Sequence, residues 1–411
     1  MKEIIKSIYK YVDNKFYFKL FYLFVSLTFV TILKELPGIS LISRVSGKIA
    51  VIWGIILILF MIVEDYKRRK IYKFDIPLAL FMIITLIFNI FVYRSTDNIS
   101  KWIVNLIMFL IIFTVDVFRS KKTLIKEMNI ITYFYVIFML IASIISLIMR
   151  FTETNIEIDQ IIFGNTKGIF ENENALSIAT ALAIVMCIYL YHITATHRLK
   201  LFWLANIVLQ AVTMVGSRGR SAYLIVIAVI YIFIFVYNKN KYFRAILLII
   251  PILACGVFFQ LDKNNIRNFT SGRSSLWTSG AIVIKEHPFT GVGNNNLVDA
   301  VTNARQTDDL PGLAVGGLHN IYVQTATING VIALTLFLIF LISILVFIVQ
   351  RLDKLQRKER LQMITLTSIV VGIISVNLFE SDLLYIISFI SMTFWIYLGY
   401  IISILDNKSI E

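Results

Sequence analysis

Apolar runs recur along the whole of this 411-residue chain, and each is long enough to cross a bilayer as a helix, which takes about 17–25 residues. Read against the charged breaks between them, they give twelve segments: roughly 17–33, 49–64, 75–92, 101–118, 128–149, 174–191, 199–215, 221–237, 243–260, 328–350, 361–379 and 383–404. With 58% hydrophobic and only 16% charged residues, the composition lies well outside that of a soluble domain. The expected fold class is an all-α polytopic membrane protein. It has about twelve transmembrane helices in a single integral domain covering residues 1–411.

The formal net charge of +14 would suggest nucleic acid in a soluble protein. Here the basic residues gather in short loops between apolar runs, which is a membrane-topology pattern and argues against a nucleic-acid partner. With the N-terminus inside, the inner segments hold 25 of the 39 Lys and Arg residues. They include Lys2, Lys6, Lys10, Lys15 and Lys19, the run Lys67-Arg68-Arg69-Lys70, and Arg351, Lys354, Arg357, Lys358 and Arg360. Both termini are therefore expected in the cytoplasm, with an uncleaved first helix. Abundant Ile, Lys and Asn are compatible with an AT-rich bacterial genome, so the expected location is a bacterial cytoplasmic (inner) membrane. Cys187 and Cys255 fall inside apolar runs and read as small hydrophobes that cannot form a zinc site alone.

Two outer loops are long. Residues 150–173 carry Glu153, Glu157, Asp159, Glu171 and Glu173. Residues 261–327, between spans nine and ten, form the largest polar stretch, a large extracytoplasmic loop with a short amphipathic helix. Ser274 or Ser275 is expected to cap that helix, which runs to about Glu286 and is stopped by Pro288. Leu276, Trp277, Ile282 and Ile284 give it an apolar side, expected to lie on the outer leaflet. Gly291-Val292-Gly293 predicts a tight turn. The stretch from His319 to Ile328 begins polar and merges into the tenth span.

Several residues look out of place. Gly216-Ser217-Arg218-Gly219-Arg220-Ser221 puts two arginines in an outer turn, against the positive-inside bias. They either snorkel to headgroup phosphates or clamp a diphosphate, for which the planar guanidinium fork is suited. Arg273 opens the loop helix, where amide donors also favour an anion; otherwise it is an exposed loop arginine. His319 lies where the loop returns to the membrane and is either structural or catalytic. Glu380 and Asp382 occupy a very short outer turn, either solvated or functional. Asn172, Glu173 and Asn174 open span six and could be simple caps. No HExxH pair, aspartate cluster, Walker loop or dinucleotide fingerprint is present, so neither a metal nor a nucleotide cofactor is expected. Energy must come from the substrate or an ion gradient.

Taken in order, these pieces resemble the O-antigen ligase and polymerase superfamily, the Wzy-type polymerases and WaaL-type ligases. The matching segments are Gly168-Ile169-Phe170 with Asn172 and Asn174, Gly216-Ser217-Arg218-Gly219, and Ser271-Gly272-Arg273 with Trp277. They continue with His287-Pro288-Phe289-Thr290-Gly291-Val292-Gly293, and with His319-Asn320-Ile321-Tyr322-Val323-Gln324 followed by Asn329-Gly330. The resemblance covers about 160–380; the first five spans match only in being hydrophobic.

The resemblance implies a metal-independent membrane glycosyltransferase of the GT-C type, whose donor is a glycan on undecaprenyl diphosphate at the outer face. Arg218 and Arg273 would hold the diphosphate, and His319 would orient or deprotonate the acceptor hydroxyl. Arg220, Asn174, Asn320, Tyr322 and Glu380 would contact substrate, Arg220 sharing the work of Arg218 and Glu380 partnering either an arginine or sugar hydroxyls. The expected partners are the lipid-linked oligosaccharide, membrane lipids, and a flippase and chain-length regulator of the same pathway. Two readings remain beside the polymerase. One is a surface-glycan ligase. The other is a repeat-unit flippase, which should show charged residues within its spans and repeat symmetry.

Overall fold

The computed structural model describes residues 14–65, 70–158, 161–258, 260–305 and 309–409. Lys2, Lys6, Lys10, Lys67, Arg68, Arg69 and Asp159 lie outside the described residues, as does the side chain of Cys255. Each of the twelve apolar segments contains a helix, although 113–118 and 383–388 are not helical. The segments correspond to α1 (Lys15–Phe29), α2 (Pro37–Phe60), α3 (Asp75–Ile87), α4 (Thr96–Ile107), α5 (Lys121–Phe151) and α6 (Glu173–Ile193). After these come α7 (His197–Ser217), α8 (Ala222–Tyr237) and α9 (Lys241–Phe258). The long segment before the tenth span contains α10 (Lys263–Phe269), α11 (Arg273–Glu286), α12 (Leu297–Asn303) and α13 (Leu313–Gly316). The chain closes with α14 (Ile321–Leu352), α15 (Arg357–Val376) and α16 (Phe389–Leu405). A two-stranded antiparallel hairpin, β1 (Asn155–Ile158) and β2 (Ile161–Gly164), follows α5.

Among the described residues, eight of these helices are long and apolar enough to cross a membrane, and α8 and α16 are shorter apolar helices. The protein is thus an all-α polytopic membrane protein. The other two expected spans, 17–33 and 101–118, fall on α1 and α4. Both are short, at 15 and 12 residues, and each carries two charges: Lys15 and Lys19 in α1, Asp97 and Lys101 in α4. Helix α16 faces protein along its length. It is buried from Phe389 to Ile404, and its Trp395 ring sits among Phe109, Phe113, Phe340 and Phe394 at centroid distances of 4.8 to 5.8 Å. Cys187 is a buried free thiol.

The loops assigned by charge to the inner face share one end of the bundle, where ion pairs tie them together. Asp406 accepts from Lys70 and Arg351, each at 2.5 Å, and from the Tyr72 hydroxyl at 2.7 Å. Asp353 accepts both Nη atoms of Arg244, at 2.6 and 2.7 Å, and has Arg360 at 3.4 Å.

At the opposite end the long loop folds onto the membrane helices. Helix α14 is broken at Gly330, whose φ of 79° and ψ of 169° free the preceding carbonyls. Residues 288–293 fill the gap. Val292 N donates to Thr327 O at 3.0 Å, Gly293 N to Ile328 O at 2.9 Å, and Val331 N to Pro288 O at 2.8 Å. A Cβ at Gly330 would collide with the Phe289 carbonyl, so the backbones meet only because this residue is glycine. The expected turn is present, with positive φ at Gly291 and Gly293.

Two expectations for the loop helix are corrected. Its N-cap is Gly272, not Ser274 or Ser275, and the Thr270 hydroxyl takes the Ser274 amide at 3.1 Å. Gly272 at φ 82° turns the chain two residues earlier than a cap at Ser274 would, which leaves Arg273 as the first helical residue. Nor is its apolar side free for the leaflet. Leu276 and Val283 are buried in a small second core with Leu297, Val301, Leu318 and Ile328, against the start of α14.

Candidate functional site

Loops from this end of the bundle surround a cavity of about 1370 Å³. Its walls come from the start of α6, the α7–α8 turn, the start of α11, the 311–319 loop and the segment between α15 and α16.

Glu380 is the meeting point. Its Oε1 accepts from both Nη atoms of Arg273 at 3.3 Å and from Asn174 Nδ2 at 3.1 Å. Its Oε2 lies 3.5 Å from His319 Nδ1. A carboxylate that is only 8% exposed needs such partners, since an unpaired buried charge is costly. Arg273 also donates to the Phe379 carbonyl, so its guanidinium is fixed in orientation.

His319 has a left-handed backbone, φ 46°, which a non-glycine residue adopts only when its surroundings hold it there. The hold comes from both neighbours. The Leu318 carbonyl accepts from Trp277 Nε1 at 3.0 Å, and the Leu318 amide donates to Gln324 Oε1 at 2.9 Å. The Asn320 amide donates to Ser381 Oγ at 2.9 Å. The imidazole lies against Gly316, where a Cβ would collide with the ring.

Arg218 ends α7 in a left-handed conformation with φ 60°. Its side chain is exposed, lines the cavity and has no side-chain partner among the described residues. Arg220 also lines the cavity, but its Nη1 donates to Asn268 O at 3.1 Å and its Nη2 to Ser271 Oγ. It ties the α7–α8 turn to the approach to α11. Asp382 is half-buried in the same wall. Burial and the neighbouring Glu380 charge push its carboxyl up to about 7, and Arg273 opposes them.

Asn320 and Tyr322 do not reach the cavity with free polar groups. The Asn320 side chain caps α14, accepting from Tyr322 N and Val323 N at 3.0 Å, and donates to Leu378 O at 3.0 Å. The Tyr322 hydroxyl donates to Ile374 O at 2.9 Å. Both fix the start of α14 to α15. Asn172 is a cap for α6, accepting from Ala175 N at 2.8 Å. Sequence reasoning missed Lys101 and Lys167, which line the cavity without side-chain partners among the described residues. The signal available was the one that marked the arginines, basic residues on segments that the charge pattern assigns to the outer face.

As a whole the cavity brings Arg218, Arg220, Arg273, Asn174, His319 and Glu380 together. It offers anion donors beside an imidazole that has a carboxylate on its Nδ1 side. No curated protein matches the sequence. A family model described as O-antigen ligase matches residues 205–338, the stretch that contains Arg218, Arg220, Arg273 and His319. Over that stretch the chain is similar to the O-antigen ligase family, whose members are glycosyltransferase-like membrane enzymes.

Proposed function

We propose that this protein is a metal-independent glycosyltransferase that polymerises oligosaccharide repeat units carried on undecaprenyl diphosphate. It would act at the outer face of a bacterial cytoplasmic membrane, with both termini inside. The observation that carries the reading is the shared cavity of Arg218, Arg273 and His319, with Glu380 touching the last two.

In the proposed reaction, the hydroxyl oxygen of the acceptor sugar attacks the anomeric carbon of the donor glycan. The bond from that carbon to the diphosphate oxygen breaks, and the bonding pair leaves with the diphosphate. Arg218 and Arg273 meet the charge that develops there, the step at which fixed donors lower a barrier most. The hydroxyl proton passes to Nε2 of His319, while Glu380 beside Nδ1 favours the tautomer that leaves Nε2 free. Asn320 and Tyr322 act by holding the start of α14.

A ligase is the second reading, favoured by the description of the matched family. The two differ in acceptor, not in donor chemistry. The test is purified protein in liposomes, supplied with lipid-linked repeat units and no nucleotide. A ladder of lengthened products that survives EDTA supports the polymerase. Single transfer to a different glycolipid acceptor supports the ligase. Movement of substrate across the bilayer without lengthening overturns both.

A further inference from the structure

The outer ends of α5 and α7 enclose a second, open groove of about 500 Å³ that plays no part in the proposed chemistry. Its walls are Leu147 and Phe151 from α5 and Ala211, Val212 and Val215 from α7. One charged residue enters it, Arg150, in the last turn of α5. The guanidinium lies against Gly216, where a Cβ would sit 2.9 Å from Nη1. Nη1 is buried without a hydrogen-bond partner, and the side chain has no ion pair among the described residues. A guanidinium without an ion pair on an otherwise apolar wall is stabilised by an anion that reaches its groove-facing nitrogens.

We propose that this groove binds one anionic phospholipid, with its phosphodiester on Arg150 and an acyl chain along the apolar walls. The layout matches the amphiphile. The charge is at the end of the bundle that carries the large cavity, and Leu147, Ala211 and Val212 lie one turn or more deeper into their helices. Charge also selects the occupant. One guanidinium suits a singly charged phosphodiester, whereas a diphosphate is better served by the several cations of the large cavity. The groove also touches Gly216, two residues before Arg218, so its occupant steadies the arginine-bearing turn.

The test is native mass spectrometry of the full chain purified in detergent, with dioleoyl phosphatidylglycerol or dioleoyl phosphatidylcholine added. Wild type is expected to retain about one phosphatidylglycerol per chain and to prefer it over phosphatidylcholine about tenfold, as one charge-assisted contact would give. Arg150→Gln should lose that preference. Val212→Trp, an exposed position on the groove wall, should lose the lipid while keeping Arg150. Inorganic phosphate should not compete, because it lacks the acyl chain. Equal retention of the two lipids by wild type would overturn the proposal. So would unchanged retention by either variant, or displacement of the lipid by phosphate.

Discussion

His319 Nδ1 lies 3.5 Å from Glu380 Oε2, and the other oxygen of the same carboxylate accepts from both terminal nitrogens of Arg273. One acidic side chain thus orients an imidazole and a guanidinium that are 46 residues apart in sequence. Replacing Glu380 with Gln should disturb both at once. The loss of a charged contact, about 1.5–3 kcal/mol, corresponds to a rate loss of roughly 10–10²-fold in a polymerisation assay. A wild-type rate would remove Glu380 from the mechanism.

His319→Ala should cost about 10²–10⁴-fold in chain extension, the range of general-base assistance. Donor binding should survive, because the arginines are untouched. Equilibrium binding of lipid-linked donor, measured beside product formation, separates the two effects.

Arg273→Ala should abolish extension and leave single repeat units on the carrier lipid. Arg273→Lys should rescue poorly, since an ammonium cannot bridge Glu380 and the Phe379 carbonyl with a planar fork. Equal activity of Lys and Arg enzymes would mean that charge alone matters.

Gly316→Ala should impair activity with little change in membrane insertion, because the added methyl meets the His319 ring inside the cavity and no transmembrane helix. Comparing protein yield with turnover checks this. A fully active Gly316→Ala enzyme would show that the imidazole does not need its observed position.

Asp382 gives a pH signature. Its carboxyl is raised from 3.8 to about 7 by burial and by Glu380. Between those values the folded state holds more protons than the unfolded state, so ionisation destabilises the fold as pH rises from about 4 to about 7. Asp382→Asn should therefore raise the thermal midpoint more at pH 8 than at pH 4, by differential scanning fluorimetry in detergent. An equal shift at both pH values would contradict the assignment.

The membrane helices were legible because a bilayer-length apolar run needs only local sequence to be recognised. The break at Gly330 was less so. Asn329-Gly330 marks the place, but the strap that fills it comes from 288–293, and no local pattern joins the two. The same limit applies to the site. Arg218, Arg273 and His319 stood out as basic or titratable groups in outer loops, yet the pairing of Arg273 with Glu380 spans 107 residues. Lys101 was hidden inside a segment read as a span, and Lys167 in a loop whose acidic residues drew attention. Asn320 and Tyr322 lie next to His319 in sequence, but helix capping and a bond to Ile374 turn their polar atoms to the protein.

The ion pairs at the end opposite the cavity bear on how the molecule responds to ionic strength. Asp406 and Asp353 hold Lys70, Arg351, Arg244 and Arg360 in close, partly sheltered contacts, where mobile ions screen weakly. Arg218, Lys101 and Lys167 have no such partners among the described residues, and solution ions compete directly for them. Added salt therefore separates the two ends: occupancy of the cavity by an anionic substrate falls over a range in which the helix bundle stays assembled.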